Sequence, residues 1–421
     1  MYIDHLSLMD FRTYGFLDLP LTTGLTVMVG PNGVGKTNIV EAIDYTANLS
    51  SHRVSNDAPL IRVGSERSYI RSRVIRGGQQ TVMELELAPG KANRVRINRA
   101  APVRVREALG ICQTVLFSPE DLELIKGEPA GRRRFIDDLA VSLRPIIGGY
   151  RADYEKVLRQ RNALLKSLRK RGAGKSLGDD DRATLEVWNG QLVNLGARMM
   201  QARFQVLAGL LPHADRAYDQ LTDGGKTLGF VYESAALGRR SGANVAELSR
   251  IPLQELGAML ESALEERASD EVERGMSLVG PHRDEISLIL GDIPARGYAS
   301  HGETWSYALA LRLGSWYLHQ ADHDDAAACP ILILDDVFAE LDATRRSRLA
   351  RIVSGAEQVL VTCAVEEDLP DELDHSRRIV RVSPGQAVVV DDETLNNSAP
   401  EDPAGELPGD PPASSRGEEA E

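Results

Sequence analysis

The spacing of apolar residues along this 421-residue chain changes from a strand-like period to a helical one and back. Ile3, Leu6, Leu8 and Phe11 fall in a roughly alternating stretch that predicts an edge strand over Tyr2–Phe11. Residues 25–29 form a short apolar run that predicts a second strand, and Ile39, Val40, Ala42, Ile43 and Ala47 follow at helical spacing. Two β-type stretches, residues 71–76 and 94–99, each carry arginines two apart, Arg71 with Arg73 and Arg94 with Arg96, so each pair shares one face. From about residue 132 to 212 the pattern is helical. Tyr154, Leu158, Arg161, Leu165 and Leu168 are spaced by fours and threes, and Trp188, Leu192, Leu195, Met199, Ala202 and Val206 continue it beyond a polar loop around residues 172–181. Two such helices predict an antiparallel hairpin. A shorter helix over residues 253–267 leads back to apolar strands at 331–334 and 359–362. The pattern predicts an α/β head interrupted by a helical arm, with boundaries at 1–130 (head), 131–270 (arm) and 271–390 (head), followed by a tail over 391–421.

Between the second strand and its helix stand Gly30, Pro31, Asn32, Gly33, Val34, Gly35, Lys36 and Thr37, which spell G-x-x-x-x-G-K-T, the phosphate-binding loop of a P-loop NTPase. A triphosphate is a dense anion, and backbone N–H groups can surround it more closely than side chains. The glycines let those groups converge, and the helix N-terminus adds its dipole. Lys36 would reach the β- and γ-phosphates and the Thr37 hydroxyl would ligate Mg²⁺, so the ligand is ATP-like and the metal Mg²⁺. Residues 331–334 run directly into Asp335 and Asp336, the Walker B pattern, in which a buried strand aims its terminal carboxylate at the metal held by Thr37. The long interval between the two motifs implies an insertion.

Ser300, His301, Gly302 and Glu303 precede a mostly apolar helix over residues 305–318. A serine and a glycine at a helix start can present a hydroxyl, an N–H and the dipole to an anion. A serine with a glutamate three later is also a plain capping box, and the local residues do not choose between the two.

The net charge of −13 argues against a nucleic-acid partner until its distribution is considered. Residues 391–421 hold ten acids and one base, leaving −4 on the rest, and they include five prolines and few large apolar residues. This tail predicts disorder, either as a solubilising extension or as an interaction tail. Six bases and no acid lie between Lys91 and Arg106, and eight bases against Asp153 and Glu155 lie on the first arm helix. The DNA candidates are therefore Arg71, Arg73, Arg94, Arg96, Lys156, Arg159 and Arg161, set against the bland alternative of a solvated charged face. Little aromatic residue is interleaved with them, which favours duplex or junction backbone over stacked single strands. Three well-separated cysteines suit a reducing cytoplasm. There is no signal-like start and no apolar run long enough for a membrane span.

Taken in order, these motifs resemble the ABC-type ATPase heads of SMC-like DNA-repair proteins. The resemblance is carried by residues 10–14, by residues 30–37 with Asn38, Glu41 and Ala42, and by residues 51–53, 117–122, 132–137, 280–284, 298–303 and 334–342, across about residues 1–390. It implies an ABC-type P-loop head split by a coiled-coil-like arm. It also implies a homodimer glued by ATP, in which Ser300, Gly302 and Glu303 of one copy cap the γ-phosphate held by the other. Arg12 and Asn38 would join the nucleotide site, Asp335 would support Mg²⁺, Asp336 with Lys36 would be catalytic, and Asp342 would lie at the dimer seam. The branch of the family most similar to this chain implies binding to gapped DNA and, with RecR and RecO, loading of RecA onto single strands, in a cytoplasmic, nucleoid-associated setting. Three departures from the ABC pattern imply slow hydrolysis. Asp336 stands where a glutamate is usual, residues 362–364 lack the switch histidine, and Gln113 is displaced from the usual glutamine of the Q-loop. The competing functions are a transporter ATPase and a structural dimer with incidental hydrolysis. A nuclease-fused relative would need a further metal-binding domain.

Overall fold

The computed structural model of the chain describes residues 1–54, 56–172, 178–322, 329–373 and 377–390. The tail expected at 391–421 and the centre of the polar loop expected at 172–181 lie outside the described residues. One antiparallel sheet has the order β2 (Tyr14–Pro20), β1 (Tyr2–Phe11), β4 (Ser68–Arg76), β5 (Gln79–Leu87), β6 (Arg94–Ile97), β7 (Val103–Arg104). A second sheet has the order β15 (Gln386–Val390), β14 (Arg378–Ser383), β3 (Gly24–Val29), β13 (Gln358–Cys363), β12 (Ile331–Asp335), β8 (Thr114–Phe117), all parallel except β15. Helix α1 (Lys36–Asn48) lies between them. Its Ile39, Val40 and Ile43 are fully buried in one core with Leu6, Leu8 and Ile70 of the first sheet and Ile331, Ile333 and Leu360 of the second. The alternate residues Leu332, Leu334, Val359 and Val361 join a second core with the helices. A strand buried on both faces has no polar side to show, which is why β12 and β13 read as continuous apolar runs.

Strand β1 is not the edge strand its alternation predicts. It pairs with β2 on one side and β4 on the other, so Met9 has both Phe16 and Tyr69 as partners. Alternation reports which face is buried. It carries no information about how many neighbours hydrogen-bond the strand.

The helical layer follows β8: α2 (Leu122–Lys126), α3 (Pro129–Leu143), α4 (Ile146–Lys170), α5 (Asp179–Leu221), α6 (Val245–Leu248), α7 (Leu253–Arg274), α8 (His301–Asp322) and α9 (Ala343–Val353). Helices α4 and α5 pack together, with Leu165, Leu168 and Leu185 in a small core of their own. The helical pattern predicted an end at Pro212, yet α5 continues through it to Leu221. An interior proline costs a helix about 3 kcal/mol. Leu210, Ala214, Ala217 and Leu221 are each completely buried around it, and burial of one leucine is worth about 1.5–3 kcal/mol. Packing against α8 therefore outweighs the lost hydrogen bond. The crossing is close, since a Cβ at Gly314 would lie 2.8 Å from the Ala214 backbone.

A third sheet, β9 (Leu228–Glu233), β10 (Glu285–Leu290) and β11 (Ile293–Pro294), pairs residues on both sides of position 270, where arm and head were expected to separate. The stretch 131–270 is thus not helical throughout. Among the described residues, no helix is long and apolar enough to cross a membrane, and all three cysteines are buried and unpaired.

A candidate nucleotide site at the ends of the parallel strands

Strands β3, β13 and β12 run parallel and end together at their C-terminal ends, where Val29 pairs with Cys363 and Thr362 with Asp335. Residues 30–37 and the acidic pair meet there, although 298 positions separate Thr37 from Asp335. Gly33 and Gly35 adopt φ of +84° and +117°. At Gly35 a Cβ would stand 2.8 Å from the Tyr14 hydroxyl and 3.1 Å from that of Thr13, so both the backbone and the close approach require glycine. Lys36 opens α1 and is 3% exposed, with its ammonium folded over the loop. It donates to Gly30 O at 2.7 Å, Pro31 O at 3.3 Å and Asn32 Oδ1 at 3.4 Å.

The Thr37 hydroxyl donates to Asp335 Oδ1 at 3.2 Å, and the Thr362 hydroxyl donates to the same oxygen at 2.6 Å while accepting from the Asp336 N–H at 2.9 Å. Burial raises the pKa of Asp335, the two hydroxyls oppose that, and the charge of Asp336 adds to it. A buried carboxylate with a hydroxyl beside it is an all-oxygen donor set that fits Mg²⁺. Asp336 has φ of +52°, a left-handed conformation that costs a non-glycine residue roughly 1–2 kcal/mol. Thr362 had entered the sequence argument only as the occupant of a missing histidine's place. The structure makes it the bridge between both acids.

Arg12 lies in the turn between β1 and β2. Its guanidinium grips both oxygens of Glu41, at 2.8 and 2.6 Å, and reaches Pro59 O at 3.0 Å. Glu41, fully buried, also accepts from the Ser51 hydroxyl at 2.6 Å and lies 3.5 Å from Arg53 Nη1. Arg53 in turn donates to Asn38 Oδ1 at 3.3 Å, and Asn38 donates to Thr13 at 3.0 Å. Arg12 therefore adjoins the loop while its charge is engaged by Glu41. Glu41, Ser51 and Arg53 were given no role from sequence; the available signal was a glutamate among buried positions of α1.

Gln113 does not occupy a Q-loop position. It precedes β8 at the far end from the acids, beside Ile331, and its amide donates to Ser142 O at 3.1 Å. Because β8 runs parallel to β12, residues 118–121 follow it at the Asp335 end.

Ser300 and Glu303 form the reciprocal capping box, with Ser300 N to Glu303 Oε2 at 2.8 Å and Glu303 N to Ser300 Oγ at 3.3 Å. Lys226 contacts the same glutamate at 2.5 Å and, with the Ser300 backbone, lowers its pKa to about 2. Asp342 caps α9 by accepting from Arg345 N at 2.9 Å. Ser300, Gly302, Glu303 and Asp342 are thus joined to Lys226 and Arg345, and no hydrogen bond among the described residues ties them to residues 30–37 of their own chain.

The structure divides the DNA candidates. Arg161 is 1% exposed and bonds Glu271 at 2.5 Å, Ser277 at 2.7 Å and Asn189 at 2.8 Å, so no phosphate can reach it and it leaves the set. Its place in the buried seam of α4 had already been visible in the spacing. Arg71, Arg73, Arg94 and Arg96 do share a face, but β5 lies between β4 and β6 and sets Glu84 opposite Arg71 and Arg96, and Glu86 opposite Arg94. Arg73 pairs with Asp4 at 2.5 Å. The acid-free interval from Lys91 to Arg106 is a property of the sequence and not of that surface. On α4, by contrast, Lys156, Arg159, Lys166 and Lys170 are exposed along one side, and none is ion-paired among the described residues.

Residues 2–386 match the family described as the RecF/RecN/SMC N terminal domain. The chain is 53% identical over 401 residues to the DNA replication and repair protein RecF of Pseudarthrobacter chlorophenolicus, covering 91% of this chain and 98% of that protein. It is 51% identical over 382 residues to the protein of that name from Streptomyces avermitilis, covering 90% and 98%. The solved structure of the recombination mediator protein RecF with ATP aligns with a TM-score of 0.80 at 24% identity, over 93% of this chain and 98% of that one. An SMC head bound to the C-winged helix domain of ScpA aligns with a TM-score of 0.51 at 16% identity, over 94% of this chain and 100% of that one. Fold and family place the chain among the ABC-type, SMC-like ATPase heads. Within that class it belongs to the RecF family.

Proposed function

We propose that the chain is an ATP-gated DNA-binding protein of replication and recombinational repair. The observation that carries this reading is the separation of two half-sites: a phosphate loop meeting Asp335 at the C-terminal ends of the parallel strands, and a Ser300–Gly302 turn tied to Lys226 and Arg345. A second copy of the chain would bring the missing half to each nucleotide, so ATP would hold a symmetric dimer together. Backbone N–H groups of residues 30–38 and Lys36 would bind the phosphates. Thr37 and Asp335 would hold Mg²⁺, which neutralises charge on the β- and γ-phosphates. Ser300, Gly302 and Glu303 of the other copy would cap the γ-phosphate, with Asp342 at the seam and Arg12 beside the loop.

Asp336 is the group available to orient the attacking water. Its carboxylate is one methylene short of a glutamate's, and Thr362 rather than a histidine stands behind it. Steady-state turnover with Mg²⁺ and ATP is expected below about 1 s⁻¹, near the floor of ordinary enzymes; a clearly faster rate would remove the slow-switch reading. The same geometry leaves a second reading, a structural dimer in which hydrolysis is incidental, and single-turnover hydrolysis with and without DNA separates the two. RecF-family membership weighs against the transporter function.

DNA would bind through its backbone along the exposed basic stripe of α4, with the sheet arginines in a lesser role because acids interleave them. Anisotropy of a labelled gapped duplex should rise with this chain only when ATP is present. Each phosphate neutralised contributes about 0.9 to the salt slope. Replacing Lys156, Arg159, Lys166 and Lys170 together by alanine should flatten that slope by roughly 3–4, whereas Arg71→Ala with Arg73→Ala should change it less. An unchanged slope in the α4 variant would exclude the stripe. By analogy with its family, RecR and RecO are the proposed partners, RecA loading the proposed outcome, and the nucleoid in the cytoplasm the proposed place of action.

A further inference from the structure

We infer that Arg345 is a positioning residue that locks the Ser300–Glu303 turn and the Asp342 loop into one rigid face before a second copy of the chain meets it. The inference rests on the ATP-dimer reading above and names the device that presents its second half-site. Arg345 stands in the first turn of α9 and reaches two elements at once. Its backbone N–H is capped by Asp342 Oδ1, and its guanidinium pairs with the other oxygen of the same carboxylate. Its Nε donates to Ser306 Oγ on α8 at 3.0 Å. The flat end of the guanidinium lies on Gly302, with Nη1 and Nη2 each 3.1 Å from the point a Cβ would occupy. Glycine at 302 thus admits the arginine as well as exposing the turn.

Both joined segments are the ones a dimer must present together, Gly302 toward the γ-phosphate and Asp342 toward the seam. Among the described residues, no hydrogen bond of their own chain ties them to the phosphate loop. On the opposite side the turn is held by Lys226, from the segment that follows α5, through Glu303. The turn is therefore gripped from the arm side and from α9. A planar guanidinium can hold a carboxylate, a hydroxyl and a backbone surface in one fixed orientation, which a lysine ammonium on a flexible stem cannot. Half-sites ordered in advance lose less entropy on association, so the arginine should act on dimer formation and leave nucleotide capture by the isolated chain untouched.

The test is sedimentation equilibrium of the full chain with Mg²⁺ and ATPγS, together with nucleotide titration at concentrations where the chain is monomeric, for wild type, Arg345→Ala and Arg345→Lys. The expected result is a nucleotide-dependent wild-type dimer, an Arg345→Ala dimer weakened by about tenfold or more, and Arg345→Lys in between, all with monomer nucleotide affinity within about twofold. Arg345→Ala or Arg345→Lys dimers as tight as wild type would overturn the inference while leaving the ATP dimer standing. A wild-type chain that stays monomeric with nucleotide would overturn both. Loss of monomer nucleotide binding in the Arg345→Lys chain would also overturn it, by showing a general structural role.

Discussion

Lys36→Ala should weaken binding of Mg²⁺ and ATP by about a hundredfold or more and remove ATP-dependent DNA binding with it. Lys36 is 3% exposed, and its ammonium is held by Gly30 O, Pro31 O and Asn32 Oδ1. On nucleotide binding it would exchange these neutral acceptors for phosphate oxygens. A hydrogen bond to a charged group is worth about 1.5–3 kcal/mol, and two of them correspond to at least about a hundredfold in affinity. The Cβ of alanine preserves α1 and the glycine turns, so folding should be retained while affinity falls. Calorimetric titration checks this directly; a dissociation constant within about threefold of wild type would show that the loop does not bind triphosphate in the expected manner.

Arg203→Met is expected to be the most destabilising single change at the junction of α5 with the third sheet, by about 3–5 kcal/mol. Arg203 is 2% exposed and holds both oxygens of Asp137, at 2.7 and 2.9 Å, together with Pro281 O at 2.6 Å and the Tyr232 hydroxyl at 3.2 Å. Tyr232 passes the contact on to Asp284 at 2.7 Å. Methionine fills much of the volume, so the loss is electrostatic: two buried acids without their counter-charge. Burial already raises the pKa of Asp284 from 3.8 to about 6, with Arg203 opposing the rise. A folded-state value above the unfolded one means the folded chain holds this proton more tightly. The cost of the Asp284 charge is therefore absent below about 4 and complete above about 6. Without Arg203 the folded value climbs further, so the variant's deficit in denaturant melts should shrink as pH falls from 8 toward 5. A deficit under about 1 kcal/mol at pH 8, or one that grows on acidification, would sink this account.

The phosphate loop, the strand that aims Asp335, the helical hairpin and the capping turn at Ser300 were legible in the chain because each rests on local spacing. Glycines allow a turn, a run of buried residues makes a strand, and a serine with a glutamate three later caps a helix wherever they occur. What the sequence could not decide was which local features stand next to each other. The meeting of Thr37 with Asp335 could be inferred only from a known motif pair, and the partners of Thr362, Glu41 and Arg53 could not be inferred, because they lie on other strands and turns. Arg161 was counted among the bases although its spacing put it in the seam of α4, and Glu271, 110 positions away, claims it. The sheet arginines looked like a cationic patch until β5 placed Glu84 and Glu86 among them. Charge and hydrogen bonding act through space over a few ångströms, and only the folded chain sets those distances. The sequence by itself determined the local motifs and the expectation of a phosphate-bearing ligand. The tertiary structure decided which charges remain free to meet a partner.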